Sequence, residues 1–202
     1  MKIICIGRNY ADHAKELGNE IPENPVIFMK PDTAVLKKGS DFYIPEFSND
    51  VHYELEVVLK ISKGGKYIQE ENADKYFEEI GLGIDFTARD LQSKLKEKGL
   101  PWELAKGFDG SAVISEFYKK EDFDLKNLNF TLLKNKEEVQ NGNTLLMMFS
   151  PEKIIAFVSQ YFTLRVGDLI FTGTPKGVGK VSENDILEAY LEEQKVLDLR
   201  IQ

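Results

Sequence analysis

Short apolar runs, separated by glycine, proline and charged residues, recur along the whole chain and predict many short strands with a few helices between them. Strands are predicted at residues 2–6, 26–29, 51–61, 82–85 and 169–172, extended segments at 111–115 and 129–135, and a final hairpin at 186–191 and 196–201. A further hairpin is predicted at Gly64 and Gly65, leading into Tyr67 and Ile68.

Helices are predicted at residues 10–17, 72–80, 87–98 and 152–162, and glycine follows the first three. Ser150 and Pro151 supply an N-cap and a first-turn proline for the last helix. Many short strands with interspersed helices indicate a mixed α+β fold built around a β-sandwich or roll. At 202 residues, the chain is expected to form one domain over residues 1–202.

Composition narrows the possible partners and the cellular location. The net charge is −8 and the pI is about 5.0, which argues against nucleic acid or an anionic membrane as the main partner. The single cysteine, Cys5, excludes an intramolecular disulfide and a cysteine metal cluster. The chain starts in a predicted strand, without a leader-like or membrane-spanning segment, so a cytoplasmic protein is expected.

Two carboxylates, Glu54 and Glu56, interrupt the apolar run at residues 51–59. Residues two positions apart project from the same face of a strand, so the two anions would repel each other, more strongly if partly buried. A hard divalent cation would remove this repulsion, and Asp85 is a candidate third ligand. Three oxygen ligands without imidazole suit Mg²⁺, Mn²⁺ or Ca²⁺ better than Zn²⁺. The same residues also fit a strand with a solvated glutamate face and an aspartate at a helix start.

The chain has two histidines, His13 and His52. His13 and Glu16 are three residues apart on a predicted helix and share a face. A glutamate beside a histidine stabilises the imidazolium and orients the ring, which makes the imidazole a usable general base. The alternative is an incidental pair on a surface helix. His52 shares a strand face with Glu54 and is predicted to be structural or to support the ligands, so it is left out of the ligand set.

Other polar residues are weaker candidates when taken singly. Lys106, beside Ala105, could enter a pocket and polarise a carbonyl, although most lysines are solvated. Gln92 and Lys30 could contact a substrate or could be solvated. Residues 173–180 are not a phosphate-binding loop, because Thr174 and Val181 replace residues that such a loop requires. The glycines of this segment still let the backbone approach a ligand, and Thr174 could offer its hydroxyl and N–H to a carboxylate.

Taken in order, these segments resemble the fumarylacetoacetate hydrolase family, and in particular its short single-domain branch of acylpyruvases and oxaloacetate decarboxylases. The resemblance covers nearly the whole chain, and the ordered set is far more specific than any one member. The motifs that carry it are IGRNYADH at residues 6–13, FMKP at 28–31, HYELE at 52–56, DFTARDLQ at 85–92, GLPW at 99–102, AK at 105–106 and GTPKGVG at 173–179.

The resemblance implies a β-sandwich-roll fold, a homodimer, and a site in which Glu54, Glu56 and Asp85 hold Mg²⁺ or Mn²⁺. It further implies that His13 and Glu16 form a water-activating dyad and that Lys106 is an active-site lysine. The substrate expected is a small 2-oxo acid. Candidate substrate contacts are Arg8, Lys30, Gln92 and Thr174.

The expected reaction is hydrolysis of the C–C bond of an acylpyruvate, with the negative charge of the departing pyruvate enolate stabilised by the metal and Lys106. The same arrangement would stabilise the enolate left when oxaloacetate loses CO₂, and it would also support keto–enol isomerisation of oxaloacetate. One alternative is a dienedioate isomerase or hydratase of aromatic breakdown, which needs no hydrolytic water. Another is a non-catalytic, Ca²⁺-stabilised binding protein.

Two segments depart from the family pattern or vary within it. The C-terminal hairpin around residues 192–195 is more charged than expected, and it is predicted not to touch substrate. Residues 22–24, which follow the dyad, are predicted to form part of a lid, and their sequence does not specify a substrate.

Overall fold

The computed structural model describes residues 1–16, 18 and 20–202, and within them the strands form three sheets. The largest sheet has the order β2-β1-β11-β4-β5-β7, with β8 also paired to β5. Strands β1 and β11 are parallel, and the other neighbours in this sheet are antiparallel. The other sheets have the orders β10-β9-β13-β14 and β12-β3-β6. The strands are Ile3–Gly7 (β1), Val26–Lys30 (β2), Val51–Tyr53 (β3), Leu55–Ile61 (β4), Phe77–Asp85 (β5), Thr87–Ala88 (β6), Ala112–Ile114 (β7), Tyr118–Lys119 (β8), Asn129–Lys134 (β9), Glu137–Asn143 (β10), Leu169–Phe171 (β11), Gly179–Lys180 (β12), Ile186–Leu191 (β13) and Gln194–Arg200 (β14).

Helices are short and connect the strands. The α-helices are Ala11–Glu16 (α1), Arg89–Glu97 (α2), Glu103–Lys106 (α3) and Pro151–Tyr161 (α4), and 3₁₀ turns occur at Asp32–Ala34, Glu70–Tyr76, Lys120–Asp122 and Thr144–Leu146. Helix α4 begins as predicted, because the Ser150 hydroxyl accepts a hydrogen bond from the Lys153 N–H at 3.3 Å. The prediction of a mixed α+β fold with few helices is confirmed. No helix in the described part of the chain is long and apolar enough to cross a membrane.

The pairing of β4 with β5 brings the acidic residues of the two strands together. Glu56 lies opposite Gly83, and the Asp85 N–H donates to the Glu54 carbonyl at 2.9 Å. Gly83 is required at this point, because a Cβ there would lie 2.5 Å from the Phe171 ring. The two strands therefore fix Glu54, Glu56 and Asp85 as neighbours before any ligand is considered.

Two predicted elements are wrong. The helix predicted at 72–80 is a 3₁₀ turn followed by β5, because Phe77 and Ile80 are buried in the core and the strand pairs with β4. The hairpin predicted at Gly64 and Gly65 does not form. Gly65 instead pairs with Leu164, far along the chain, and the Ile68 N–H donates to the Ser159 hydroxyl of α4.

Other boundaries shift by a few residues. The strand predicted at 51–61 is interrupted at Glu54, and the N–H of Leu55, the first residue of β4, donates to the Gln140 side chain at 2.9 Å. The helix predicted at 87–98 begins at Arg89, because Thr87 and Ala88 pair with β3 as β6. The last residue of the helix predicted at 10–17 lies outside the described residues.

Candidate active site

The three predicted ligands form one buried cluster. Glu54 and Glu56 expose 5% and 2% of their surface and Asp85 none, so the alternative of a solvated glutamate face is wrong. One carboxylate oxygen from each residue lies within 4.8 Å of those of the other two. Three carboxylates in this arrangement match the oxygen donors that Mg²⁺ and Mn²⁺ prefer.

The two glutamates have opposite electrostatic environments. Burial raises the pKa of both, but Lys106 and Arg89 outweigh burial at Glu54 and hold its pKa well below the usual range. At Glu56, burial together with Asp85 and Glu54 raises the pKa well above the usual range. The Glu56 carboxylate accepts the Gly173 N–H at 2.7 Å, and no cationic side chain among the described residues lies within 4 Å of it. The cluster therefore has an unbalanced anion, which a bound divalent ion would neutralise.

Asp85 is held by two cations. Its Oδ1 atom lies 2.7 Å from the Lys30 ammonium, and its Oδ2 atom accepts a hydrogen bond from Lys106 at 2.6 Å. Glu56 has no such cation among the described residues, so its charge is the one that a bound ion would balance. The set of three buried carboxylates fits a metal ion held by Glu54, Glu56 and Asp85.

Lys106, in α3, lies against the same carboxylates. Its ammonium donates to Glu54 at 2.8 Å, to Asp85 at 2.6 Å and to the Thr87 hydroxyl at 2.6 Å. Burial alone would lower the pKa of Lys106, but Asp85 and Glu54 raise it above the ordinary value. The side chain also lies over the Phe28 ring, with the nitrogen 4.9 Å from the ring centroid. Lys106 is therefore held as a charged donor at the carboxylate cluster.

Lys30 is placed differently from the prediction. It ends β2, is buried beneath the site, and does not line the cleft described below. Its ammonium faces Asp85 and also donates to the Ser111 carbonyl and hydroxyl, at 3.1 and 3.0 Å, and to the main-chain carbonyl of Lys106. This placement favours a role in holding Asp85 and α3 rather than a direct contact with substrate.

His13 and Glu16 form the predicted pair on α1. His13 Nδ1 lies 3.1 Å from Glu16 Oε2; His13 is buried, whereas the Glu16 side chain is 35% exposed. Both oxygens of Glu16 also accept the Gly177 N–H, at 3.1 and 3.3 Å. Glu16 therefore orients the imidazole and fixes α1 to the segment at residues 173–179. Because Nδ1 is engaged, Nε2 is the ring atom that remains for chemistry.

That glycine-rich segment is held by buried side chains from distant parts of the chain. Gly173 has φ +101°, and a Cβ there would lie 2.7 Å from Asn9, so glycine is required. The Asn9 amide donates to the Thr172 carbonyl at 2.7 Å, and the Gln140 amide donates to the Thr174 hydroxyl at 2.9 Å. The turn thereby presents the Gly173 N–H to Glu56 and the Thr174 side chain to the cleft.

A small cleft, with a cavity volume of about 30 Å³, opens over the carboxylate cluster. Of the predicted site residues, Asp85, Lys30 and Glu16 do not line it. The residues that line it are Ile6, Gly7, Arg8, His13, Phe28, Glu54, Glu56, Arg89, Gln92, Lys96, Trp102, Lys106 and Thr174.

Helix α2 contributes residues that the sequence reasoning missed. Arg89 contacts a carboxylate oxygen of Glu54 and donates to the Gln92 side chain at 2.7 Å. Gln92 is buried rather than exposed. Arg89, Gln92 and Lys96 have the spacing i, i+3, i+7, which places them on one helix face. Once Gln92 was chosen as a candidate, this spacing would have identified Arg89 and Lys96 as further site residues. Thr87 and Gln140 had no comparable signal, because their partners are distant in sequence.

His52 and the C-terminal hairpin, which were left out of the predicted site, do not line the cleft among the described residues. His52 Nε2 lies 3.0 Å from Asp50, and His52 does not line the cleft. Burial, followed by Arg89, lowers the pKa of His52. Strands β13 and β14, which form the charged C-terminal hairpin, also do not line the cleft.

Comparisons with known proteins find relatives that match over most of this chain and most of their own length. The family model described as fumarylacetoacetate (FAA) hydrolase C-terminal matches residues 2–202. The chain is 45% identical over 188 residues to a Bos taurus protein named as a mitochondrial oxaloacetate tautomerase, covering 93% of this chain and 85% of that protein. It is 42% identical over 189 residues to a mitochondrial oxaloacetate decarboxylase of Dictyostelium discoideum, covering 93% of this chain and 87% of that protein.

A solved structure agrees over the whole chain. Fumarylpyruvate hydrolase from Pseudomonas aeruginosa, in complex with Mn²⁺ and pyruvate, superposes with a TM-score of 0.94 at 35% identity. The match covers 100% of this chain and 89% of that chain. These relatives are enzymes of small 2-oxo acids, and one of them binds a divalent metal.

Proposed function

The chain belongs to the fumarylacetoacetate hydrolase family, and on that basis we propose that it is a divalent-metal-dependent enzyme of small 2-oxo acids. Its proposed reactions are hydrolysis of the C–C bond of acylpyruvates and decarboxylation or tautomerisation of oxaloacetate. The observation that carries the proposal is the buried cluster of Glu54, Glu56 and Asp85, which lies at the same cleft as His13 and Lys106. The named activities of the relatives support the choice of substrate.

We propose Mg²⁺ or Mn²⁺ as the ion held by Glu54, Glu56 and Asp85. The Mn²⁺ complex of the Pseudomonas aeruginosa neighbour supports the choice, as does the all-oxygen donor set. When bound, such an ion would supply positive charge that polarises the substrate oxygens and stabilises an enolate.

The protein's own residues account for the proton transfers of hydrolysis. With Nδ1 bound to Glu16, His13 Nε2 takes a proton from water as the water oxygen bonds to the distal acyl carbon. The bond between that carbon and C3 then breaks, and its electron pair stays on pyruvate as the enolate. The proton held on His13 returns to C3, which yields pyruvate and the carboxylic acid.

Lys106 is proposed to stabilise the enolate oxygen. Its ammonium lies at the carboxylate cluster and lines the cleft, so its positive charge is close to the place where negative charge develops. In oxaloacetate, loss of CO₂ leaves the same enolate, and tautomerisation moves a proton between C3 and the 2-oxo oxygen. One site thereby serves all three reactions. Gln92, Thr174 and Arg8 are proposed to contact the substrate, because each lines the cleft.

A substrate panel tests this function. The purified protein is assayed with acetylpyruvate, fumarylpyruvate, oxaloacetate and hydroxymuconate-type dienes, each with Mg²⁺, with Mn²⁺ and with EDTA. We expect turnover of acylpyruvates and oxaloacetate that EDTA abolishes. Turnover of the dienes alone would replace the proposal by the isomerase alternative. Metal binding without turnover of any compound would favour a binding protein.

Oligomeric state and location stay predictions. The proposed homodimer would have about twice the 23.0 kDa mass of the chain by size-exclusion chromatography with light scattering. A mass of one chain at micromolar concentration would contradict it. Cytoplasmic location is tested by fractionation of the source cells.

A further inference from the structure

Two cations at the cleft lack a carboxylate partner among residues 1–16, 18 and 20–202. Arg89 and Lys106 both contact Glu54, so their charges are balanced within the site. Arg8 and Lys96 line the same cleft, and among the described residues neither has a carboxylate within 4 Å. Cations that line a cleft without a partner are available to bind an anionic ligand.

The fold holds both side chains at the cleft. Arg8 follows β1 with φ +60°, a left-handed conformation that is strained for a residue with a side chain. Its Nε atom is buried and has no hydrogen-bond partner in the part of the chain that the structure describes. An unpaired buried donor is costly, and an acceptor on a bound ligand would satisfy it.

Lys96 is held by the face of α2 and by an aromatic ring. It follows Gln92 by one turn, and its nitrogen lies 5.2 Å from the centroid of the Trp102 ring. This contact positions the ammonium but does not neutralise it. Partial burial, followed by Arg89, Arg8 and Lys106, lowers the pKa of Lys96 to about 8, against a smaller opposing effect of Glu54. A bound anion would relieve this crowding of positive charge.

We propose that Arg8 and Lys96 bind the terminal carboxylate of a dicarboxylic 2-oxo acid, and that the enzyme therefore prefers dicarboxylates to uncharged acylpyruvates. This inference rests on the proposed function. The carboxylate and 2-oxo group at one end of the substrate would bind beside Lys106, at the ion that the metal ligands would hold. The carboxylate at the other end then has two cations to bind.

A competing assignment comes from the apolar lining. Ile6, Phe28 and Trp102 also face the cleft and would suit an uncharged acyl chain. Such a chain would leave the cations Arg8 and Lys96 unpaired in a partly buried site. The charge distribution therefore favours the dicarboxylate.

The test compares two acylpyruvates that are cleaved at the same bond, fumarylpyruvate with a terminal carboxylate and acetylpyruvate without one. A charge-assisted hydrogen bond corresponds to about 10- to 100-fold in affinity. Lys96→Met should lower kcat/KM for fumarylpyruvate by about that factor, mainly through KM, and change acetylpyruvate by less than about twofold. Lys96→Arg should restore most of the fumarylpyruvate activity. The control is Lys94→Met, because Lys94 is an exposed lysine of the same helix.

A second measurement needs no variant. The wild-type enzyme should process the monomethyl ester of fumarylpyruvate, esterified at the terminal carboxylate, at least about 10-fold less efficiently than the diacid. Equal loss on both substrates in Lys96→Met, or equal use of ester and diacid by the wild type, would overturn the inference and leave the proposed function standing. Absence of any metal-dependent turnover would instead refute the proposed function itself.

Discussion

Replacing Glu56 by glutamine is expected to stabilise the metal-free protein while abolishing its stabilisation by metal. The ligand oxygens of Glu54, Glu56 and Asp85 lie within 4.8 Å of one another. At an effective dielectric constant of about 20, two unit charges at that separation repel by roughly 3.5 kcal/mol, and this repulsion adds to burial in raising the pKa of Glu56. Lys106 and Lys30 offset part of this at Asp85 and Glu54, so relief of about 1–3 kcal/mol is expected. The glutamine oxygen can still accept the Gly173 N–H.

Thermal unfolding measures both effects on one pair of proteins. A change of 1 kcal/mol shifts Tm by about 2–4 °C at this chain length, so Glu56→Gln should melt about 2–12 °C above wild type in EDTA. Mn²⁺ at about 100 times its Kd should add roughly 2.7 kcal/mol to wild type and much less to the variant. The Tm difference between Glu56→Gln and wild type should therefore become smaller in Mn²⁺, or change sign.

A matched control separates the metal site from a general effect of lost charge. Glu78, an exposed residue of β5, is changed to glutamine, and its Tm should stay near that of wild type in both conditions. Protein concentration is held fixed, because a dimer would make Tm depend on it. If Glu56→Gln melts below wild type in EDTA, or if Mn²⁺ stabilises both proteins equally, the cluster is not the repulsive, metal-binding centre described.

Three further outcomes test individual residues. His13→Ala and Glu16→Ala should each lower kcat for acetylpyruvate, by about 10²–10⁴-fold for His13. The double variant should lose much less activity than the product of the two single losses, and multiplicative losses would show that the two residues act independently. Lys106→Met should depress both acylpyruvate hydrolysis and oxaloacetate decarboxylation, whereas His13→Ala should affect hydrolysis far more; the reverse pattern in parallel assays would exchange the two roles. Asp168 accepts the main-chain N–H groups of Lys2 and Arg165, both at 2.8 Å, and although burial opposes it, these bonds and the Lys2 ammonium lower its pKa. The ionised Asp168 therefore stabilises the folded state above about pH 4, and this stabilisation is lost as pH falls through the lower folded-state pKa. Asp168→Asn should lower the free energy of unfolding by about 1–3 kcal/mol at pH 7. A Tm difference between wild type and variant that persists unchanged at pH 2–3 would contradict this.

The pair Glu54 and Glu56 could be predicted because its signal is local, whereas Asp85 was only a candidate until the family resemblance supported it. Glu54 and Glu56 alternate within an apolar run, and the pairing of β4 with β5 brings Asp85 beside them. His13 and Glu16 are likewise neighbours in one helical turn. Where partners lie within a few residues, periodicity alone identifies the shared face.

The remaining contacts depend on tertiary structure that the pattern does not contain. Gln140 reaches Leu55 and Thr174 from another sheet, and Asn9 reaches Thr172 across the chain. Phe77 was predicted to lie in a helix that ends at Gly81, yet its burial places it in β5. Lys30 was predicted to meet substrate, but Asp85 and the Ser111 carbonyl hold it beneath the site.

The central claim is that the buried carboxylates bind a divalent metal that the enzyme needs for turnover. The most direct test is a titration of Mn²⁺ into EDTA-stripped, desalted protein, with bound Mn²⁺ measured by electron paramagnetic resonance and acetylpyruvate cleavage measured in the same samples. The account predicts that activity rises in proportion to bound Mn²⁺ and saturates at about one ion per chain, and that both signals are lost in Glu56→Gln. Full activity of the stripped protein, or Mn²⁺ binding at that stoichiometry without cleavage of acetylpyruvate or oxaloacetate, would contradict it.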